Sequence, residues 1–450
     1  MEPFRYHVLV CTQTKPEGVA SCSASGSKRV LDALNREVQS EGLENEVQVT
    51  TCGCLGLCDE GAMVIVYPDG VWYRRVTPED VPEIVSAHLR AGKVVARLEW
   101  TDAAAMKAKS LEHREHVRAA QRAREQAGIL PEDLDNLIRG YWPSRAMLTA
   151  LELDLFTAVG DGASAEAVAG RLKTNPRATE MLLNAIASLQ LLQKTGDTFQ
   201  NTAASARFFA ETSKDNARGG LLHMANIWHN WSNLTECVRQ GTSVKTAKPE
   251  GDWTRNFIAA MDRIANERAR HLLKALGGEG IHSILDLGGG SGAYSIALVR
   301  AIPGAQAEIL DIQEVVPLTE DYVQKAGFAD RIKVRAGDML GDDFGHGHDL
   351  VLLNAICHMF SEEQNRGLFR RAYQALGTNG RLVVQDFILE RDKASPQFAA
   401  LFALNMLVGT QAGSSYSEAE FEDWMRAAGF REVTRVRLPG PSDLMVATKR

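Results

Sequence analysis

Alternating and helical apolar spacing divides the chain into regions of different character. Residues 7–11 (HVLVC) read as a short buried strand, and 46–52 (EVQVTTC) alternate as a second. Between them, residues 26–43 carry apolar positions at helical spacing and stop near a glycine. MVIVYPDGVWY (63–73) is two β runs around Pro-Asp-Gly, which predicts a hairpin. Residues 77–92 predict a helix with a threonine cap, an acidic first turn and a terminal glycine. These elements predict an α/β unit over residues 1–98. Residues 99–130 are rich in Ala, Lys, Arg and Glu and predict a solvated linking helix; a basic docking face for an electron donor is the less favoured reading.

Residues 131–245 are mostly helical and include a helix, a turn, a second helix and a two-stranded wing. Over 246–450 strands and helices then alternate from Ile281 onward, the pattern of a doubly wound parallel sheet. Two last strand-like runs, 433–438 and 443–450, predict an antiparallel hairpin at its edge. The fold expected is multidomain, with an α/β unit, a mainly α winged-helix unit and an α/β doubly wound unit.

Composition narrows the picture. The chain has 450 residues and a net charge of −7, with no apolar run near the ~20 residues that span a bilayer. Its N-terminus lacks the features of a signal peptide, so a cytoplasmic location and no membrane partner are expected. A winged helix raises the question of DNA. The second helix (177–190) offers Arg177 as its only basic residue, and phosphate contacts need Lys or Arg, so no nucleic-acid partner is expected.

Five of the seven cysteines lie in the first 58 residues: Cys11, Cys22, Cys52, Cys54 and Cys58. A cluster at one end points to a local metal site. Cys54 and Cys58 share a glycine-rich loop, and four thiolates suit an iron–sulfur cluster. Ligand type alone leaves a tetrahedral zinc site open.

LDLGGGSG (285–292) follows a buried strand and opens a helix, with Gly288, Gly290 and Gly292 allowing a tight turn and close approach to a ligand. Asp311 ends the next strand 19 residues beyond Gly292, where an acid can accept ribose hydroxyls. These features fit NAD or S-adenosylmethionine. The third glycine comes one residue too early for the dinucleotide pattern, and Asp286 would repel a pyrophosphate but attract an amino group and a sulfonium. Asp338 is placed for an adenine amino group, Met339 for the ring face, and Asn354 joins the candidate cofactor residues. His358 follows the fourth strand, where open α/β sheets bind ligands, and suits a general base at neutral pH.

Two resemblances sharpen these readings. HVLVCTQTKPEG, TCGCLGLC and the hairpin with its final helix resemble the thioredoxin-like [2Fe–2S] ferredoxins across residues 4–98. The resemblance implies a [2Fe–2S] cluster on Cys11, Cys22, Cys54 and Cys58, with Cys52 an extra thiol. Residues 135–450 are similar to O-methyltransferases of the hydroxyindole and plant phenolic type, through GYWPSRAMLTALELDLF, LDLGGGSG, LDIQEVVP, GDML, NAICHMFSEEQ and FEDWMRAAGF. That resemblance implies S-adenosylmethionine as methyl donor, a Rossmann-like catalytic domain, a homodimer, and His358 as base beside Asp386. Two departures stand out: Met359 replaces the family's Asp after the base, and Ser415 falls near a second bracketing acid.

The activity expected is methyl transfer to a small molecule: a phenolic, a hydroxylated heteroaromatic or a thiol. A thiol needs less help from a base than a phenol, so the weakened acid set leans toward it. Met224, Trp228, Trp231, Phe257, Met261, Phe402 and Met406 are candidates for the substrate wall. The cluster is expected to serve electron transfer, with an electron-transfer partner, or redox sensing. The alternatives are a non-methylating redox sensor and a decarboxylase or hydroxylase relative. Radical chemistry is excluded, since C-x-C-x₃-C does not match the three-cysteine motif of such enzymes.

Overall fold

Val8 and Val10 fall on one face of the first strand, and both are fully buried. The computed structural model describes residues 3–15, 20–244 and 253–450, which form two units, 1–139 and 140–450.

In the first unit, strands β1 (Tyr6–Cys11), β2 (Val47–Cys52), β3 (Val64–Tyr67) and β4 (Val71–Tyr73) form a sheet of order β2-β1-β3-β4. β1 runs parallel to β2 and antiparallel to β3, with Cys11 opposite Cys52. The predicted hairpin is β3–β4. Helix α1 (Ser27–Ser40) buries Val30, Leu34 and Val38, four residues apart each time, as an amphipathic helix must. The last predicted helix is composite: Pro78–Asp80, Val81–Glu83 and a π-wound Ile84–Arg90. Thr77 closes a capping box with Asp80, as its sequence promised.

The linking helix is α2 (Ala103–Gln126), followed by α3 (Glu132–Arg139). Most of α2 is exposed, but its first turns are not free. Ala105 and Met106 pack with Trp100 against Cys11, Cys22, Leu57 and Met63. Ser110 Oγ donates to Leu55 O at 3.0 Å. Lys109 pairs with the buried Glu60 carboxylate, whose pKa it holds down, and Arg74 and Arg75 complete that pairing at 3.3 and 3.2 Å.

In the second unit, α4 (Ala165–Leu172) and α5 (Pro176–Ser188) precede a wing of β5 (Leu192–Thr195) and β6 (Thr198–Asn201). Ser164 and Asn175 cap these helices with their side-chain oxygens. Helix α6 (Arg218–Trp231) and helix α7 (Trp253–Leu276) follow.

The doubly wound part has strands β7 (Ser283–Leu287), β8 (Gln306–Asp311), β9 (Ile332–Ala336), β10 (His348–Asn354), β11 (Leu376–Asp386), β12 (Glu432–Val436) and β13 (Asp443–Thr448). Their order is β9-β8-β7-β10-β11-β13-β12. The first five are parallel; β13 runs antiparallel to β11 and to β12, so the terminal hairpin closes the edge with its second strand inside. Leu350, Val351, Leu352 and Leu353 of β10 are all fully buried, as expected of a strand covered on both faces. Between β7 and β10 the order reverses, which opens a crevice at the strands' carboxyl ends.

Candidate functional site

Two sites emerge, one in each unit. In the first, β1 ends at Cys11 and the loop after β2 brings Cys54 and Cys58 to the same end of the sheet. Cys11, Cys22 and Cys58 are buried and Cys54 is exposed; none forms a disulfide. Cys54 Sγ and Cys58 Sγ lie 3.8 Å apart. The Cys22 side chain hydrogen-bonds Cys11 and holds its thiol down to about 6, whereas that same contact and burial push Cys22 up. Four unbridged thiols at one end of the sheet, two of them with sulfurs 3.8 Å apart, are a donor set that suits an iron–sulfur cluster. Cys52 stands opposite Cys11 on the neighbouring strand and is pushed up by burial.

The second site lies at the β7–β10 crevice. Gly288 has φ of +68°, and a Cβ there would sit 2.4 Å from Ile356 Cδ1. Only glycine meets both constraints. Gly292, at φ +77°, opens helix α8 (Ala293–Ala301), where a Cβ would stand 2.9 Å from Ile309 Cδ1. Gly290 N–H donates to Asp311 Oδ2 at 2.9 Å, and Ile312 N–H to Asp311 Oδ1 at 2.8 Å. Asp311 is thereby fixed in place, and each oxygen keeps a lone pair for a hydroxyl.

Asp286 is fully buried. Ser295 Oγ donates to its Oδ2 at 2.7 Å, but Oδ1 has no partner. Burial, helped by the charge of Asp311, pushes this carboxyl up to about 6. Asn354, also buried, has no partner for either side-chain atom. Buried polar atoms cost roughly 1–3 kcal/mol each when unpaired, so they mark a place built for a polar ligand. An ammonium group answers Asp286, and the glycine turn leaves room beside it, so the residues fit S-adenosylmethionine. Met339 reaches the same turn, with its Cε 3.0 Å from where a Gly288 Cβ would be. Asp338 is exposed and accepts from Leu340 N–H at 2.9 Å, so it borders the pocket rather than lining its depth.

His358 sits on the short turn Cys357–Met359 after β10 and is 8% exposed. Its Nδ1 is 2.7 Å from Asp386 Oδ1, and its backbone N–H donates to Asp386 Oδ2 at 3.1 Å. Phe387 N–H also donates to Asp386 Oδ1, at 2.8 Å. A carboxylate held at three points fixes the imidazole with hydrogen on Nδ1, which leaves Nε2 as the basic nitrogen. Phe402 meets the ring edge-on at 5.0 Å and Phe387 lies at 6.0 Å. Arg268 lies over Phe387, 5.2 Å from its centroid.

Several features at this site were absent from the sequence reading. Ala355 adopts φ of +56° between β10 and His358, a strained conformation for alanine that turns the chain into the crevice. A Cβ on Gly413 would fall 2.3 Å from His358 O, and Ser414 N–H donates to that oxygen at 3.0 Å. The segment bearing Ser415 thus packs directly on the base's turn. Ser415 itself is 5% exposed and its Oγ has no partner. Met359 is half exposed and holds nothing beside the base. Among the wall candidates, Trp231 Nε1 donates to Asn405 Oδ1 at 2.8 Å, tying α6 to α9 (Gln397–Gly409), which carries Phe402 and Met406. The His223 and Phe257 rings meet at 5.1 Å, Met261 is half-buried, Met224 is exposed, and Trp228 stacks obliquely near Tyr141 at 6.1 Å. Ser295, one turn into α8, could have been found from its place after the glycines; Ala355 and Gly413 carry no sequence signal.

Comparison with known proteins agrees with this geometry. Residues 231–431 match the model of an O-methyltransferase domain, 135–211 that of an O-methyltransferase dimerisation domain, and 2–89 that of a thioredoxin-like [2Fe–2S] ferredoxin. The chain is 33% identical to 3-hydroxy-5-methyl-1-naphthoate 3-O-methyltransferase of Streptomyces sahachiroi, over 69% of this chain and 92% of that protein. It is 30% identical to acetylserotonin O-methyltransferase of Bos taurus, over 70% and 97%. The solved structure of PigF with SAH, from Serratia, aligns at a TM-score of 0.67 with 26% identity, covering 71% of this chain and all of that one. No helix among the described residues is long and apolar enough to cross a membrane. The chain belongs to the S-adenosylmethionine-dependent O-methyltransferases and carries, ahead of the family's dimerisation and catalytic domains, a thioredoxin-like [2Fe–2S] ferredoxin domain.

Proposed function

We propose that the acceptor is the hydroxyl of a small aromatic molecule and that His358 removes its proton. The observation that carries this is the 2.7 Å contact between His358 Nδ1 and Asp386 Oδ1. A thiol would need no such oriented base; a phenol near pKa 10 does. Bound S-adenosylmethionine supplies the electrophilic methyl group. Asp286 would hold its ammonium, Asp311 its ribose, and Gly288, Gly290 and Gly292 give it room, with Asp338, Met339 and Asn354 around the remainder. His358 Nε2 accepts the hydroxyl proton, and Asp386 balances the imidazolium charge. Phe387, Phe398 and Phe402, with ring centroids 4.3 to 6.1 Å apart, offer apolar faces to an aromatic ring and keep water away from the base. The naphthoate and acetylserotonin enzymes among the relatives are named for O-methylation, which supports an oxygen acceptor.

In the first unit, Cys11, Cys22, Cys54 and Cys58 hold the [2Fe–2S] cluster, which supplies a one-electron site and calls for an electron-transfer partner. The protein acts as a homodimer: Tyr141, Trp142 and Met181 of the second unit are exposed, as are Leu137 and Ile138 of α3 in the first. The domain limits proposed are 1–98, 99–130, 131–245 and 246–450. The test is anaerobic transfer of labelled methyl groups by cluster-loaded protein to separate pools of phenols and small thiols. Label on phenolic oxygen supports the reading; label confined to thiols overturns the acceptor.

A further inference from the structure

The wall beside the base carries a cation that the described residues leave without a counter-charge. Arg268, on α7, is half-buried, and its guanidinium lies over the ring of Phe387, 5.2 Å from the centroid. Among the described residues it makes no hydrogen bond and no ion pair. A helical arginine usually finds its acid three or four residues away, but those positions hold Ile264, Ala265, His271 and Leu272. Asp386, which precedes Phe387, is already engaged: its oxygens take hydrogen bonds from His358 Nδ1, His358 N–H and Phe387 N–H. The charge is directed inward. Burial pushes the Tyr294 phenol of α8 up, and the nearby Arg268 cation opposes that rise.

Strand order says which ligand this cation faces. Asp311 and Asp286, the acids assigned to the methyl donor, belong to β8 and β7; His358 follows β10, and Phe387 follows β11. Phe387 therefore ends a strand two places from that of Asp286, roughly 10 Å away at the usual strand spacing. The same ring meets His358 at 6.0 Å and Phe402 at 4.3 Å. Arg268 thus lies on the acceptor's side, against a ring that the base also touches. A guanidinium on an aromatic face sheds part of its water but keeps its forked N–H donors, which match the two oxygens of a carboxylate. A phosphate matches the fork too, but it would bring two charges to one cation.

We propose that Arg268 determines the acceptor's class by holding a carboxylate borne on its aromatic ring, so that the substrates are hydroxylated aromatic acids. This rests on the reading of an aromatic hydroxyl as the acceptor and His358 as its base. The substrate is then gripped at two points, its carboxylate by Arg268 and its hydroxyl by His358, with Phe387 between them. Only the hydroxyl needs a base, because the carboxylate is ionised at neutral pH. The pair of contacts also selects among ring isomers, since hydroxyl and carboxylate must reach their partners together.

The experiment measures methyl transfer by the full-length, cluster-loaded protein to the isomeric hydroxybenzoic and hydroxynaphthoic acids, to the carboxamide of each, and to the parent phenols. For at least one isomer the wild type is expected to favour acid over amide by about tenfold or more in kcat/KM. Arg268→Met loses that preference: the acid's kcat/KM falls about tenfold or more, the amide's changes less than about twofold, and the Kd for S-adenosylmethionine stays put. Arg268→Lys keeps part of the preference, and Arg270→Met, at an exposed position on the same helix, keeps all of it. Phenols and amides methylated as well as every acid by the wild type overturn the proposal alone, whether or not the variants fold. An equal fall for acid and amide in Arg268→Met overturns it, since the role is then structural. Weakened S-adenosylmethionine binding in that variant does the same, because the arginine then serves the donor's own carboxylate. A wild type that methylates none of the three sets overturns the oxygen-acceptor reading, and this proposal with it.

Discussion

The two sites are built on opposite plans. In the first unit, the proposed ligands are four soft side chains at one end of the sheet, and an apolar cluster packs around Cys11 and Cys22. In the second, the backbone does much of it: three glycines make space, and acids from separate strands define the polar end. Thiolate coordination demands one residue type, whereas a methyl-donor pocket demands a shape. The first site is therefore expected to fail when a single sulfur is removed, and the second to lose function by degrees.

The largest expected effect follows directly. Cys58→Ala eliminates the cluster's visible absorbance and electron paramagnetic signal, whereas Cys52→Ala retains both. Equal loss in the two variants would break the contrast between ligand and bystander.

Next is His358→Ala, expected to lower kcat with a phenolic acceptor by about 10²–10⁴-fold, the usual weight of general-base catalysis, with little change in the Kd for S-adenosylmethionine. Gly288→Ala acts on the other side. The added Cβ meets Ile356 in a backbone region costing alanine about 1–3 kcal/mol, so S-adenosylmethionine should bind roughly 10–100-fold more weakly, measurable by calorimetry.

Asp286 gives a finer test because stability and function pull apart there. Its folded pKa of about 6 lies above the ordinary value, so the folded apoprotein binds a proton that the unfolded chain has lost. Its contribution to stability is full below about pH 4 and is lost as pH rises through about 6, an effect of about 3 kcal/mol. Asp286→Asn should raise the apoprotein's Tm at pH 7 and remove this dependence while weakening S-adenosylmethionine. A lower Tm would show that the hydrogen bond from Ser295 Oγ outweighs the cost of burying the charge. Smallest of all, Ser415→Ala should change Tm by no more than about 1 kcal/mol equivalent, and upward, since its buried hydroxyl has no partner to lose.

The same contrast explains what could be read from the sequence. The cysteine cluster stood out because a metal site requires thiolates, and the choice of Cys11, Cys22, Cys54 and Cys58 over Cys52 came from the ferredoxin resemblance. The glycine loop, Asp286, Asp311 and His358 stood out as candidates because each lies at or just beyond the carboxyl end of a strand of the doubly wound sheet. The weakness expected at the base was overstated. Met359 contributes nothing, but Asp386, one methylene shorter than the family's Glu, still reaches both the ring and the backbone of His358. Register decided this, because β10 and β11 run side by side and place Asn354 opposite Gln385. The seating of α2 on the cysteine site was not legible. Its Ala, Lys, Arg and Glu composition has no apolar stripe, and the contacts through Lys109 and Ser110 are polar and specific. Ala355 and Gly413 were hidden for another reason: their roles lie in backbone conformation and clearance, which only the assembled crevice reveals.

The most direct test of the account is the pH dependence of kcat/KM for methyl transfer to a phenolic acceptor, in the wild type and in His358→Ala. The account predicts that the variant loses most of the wild type's rate at neutral pH and recovers it only as the phenol itself ionises at high pH. The same pH profile in both proteins would contradict it, since the proton would then leave by another route.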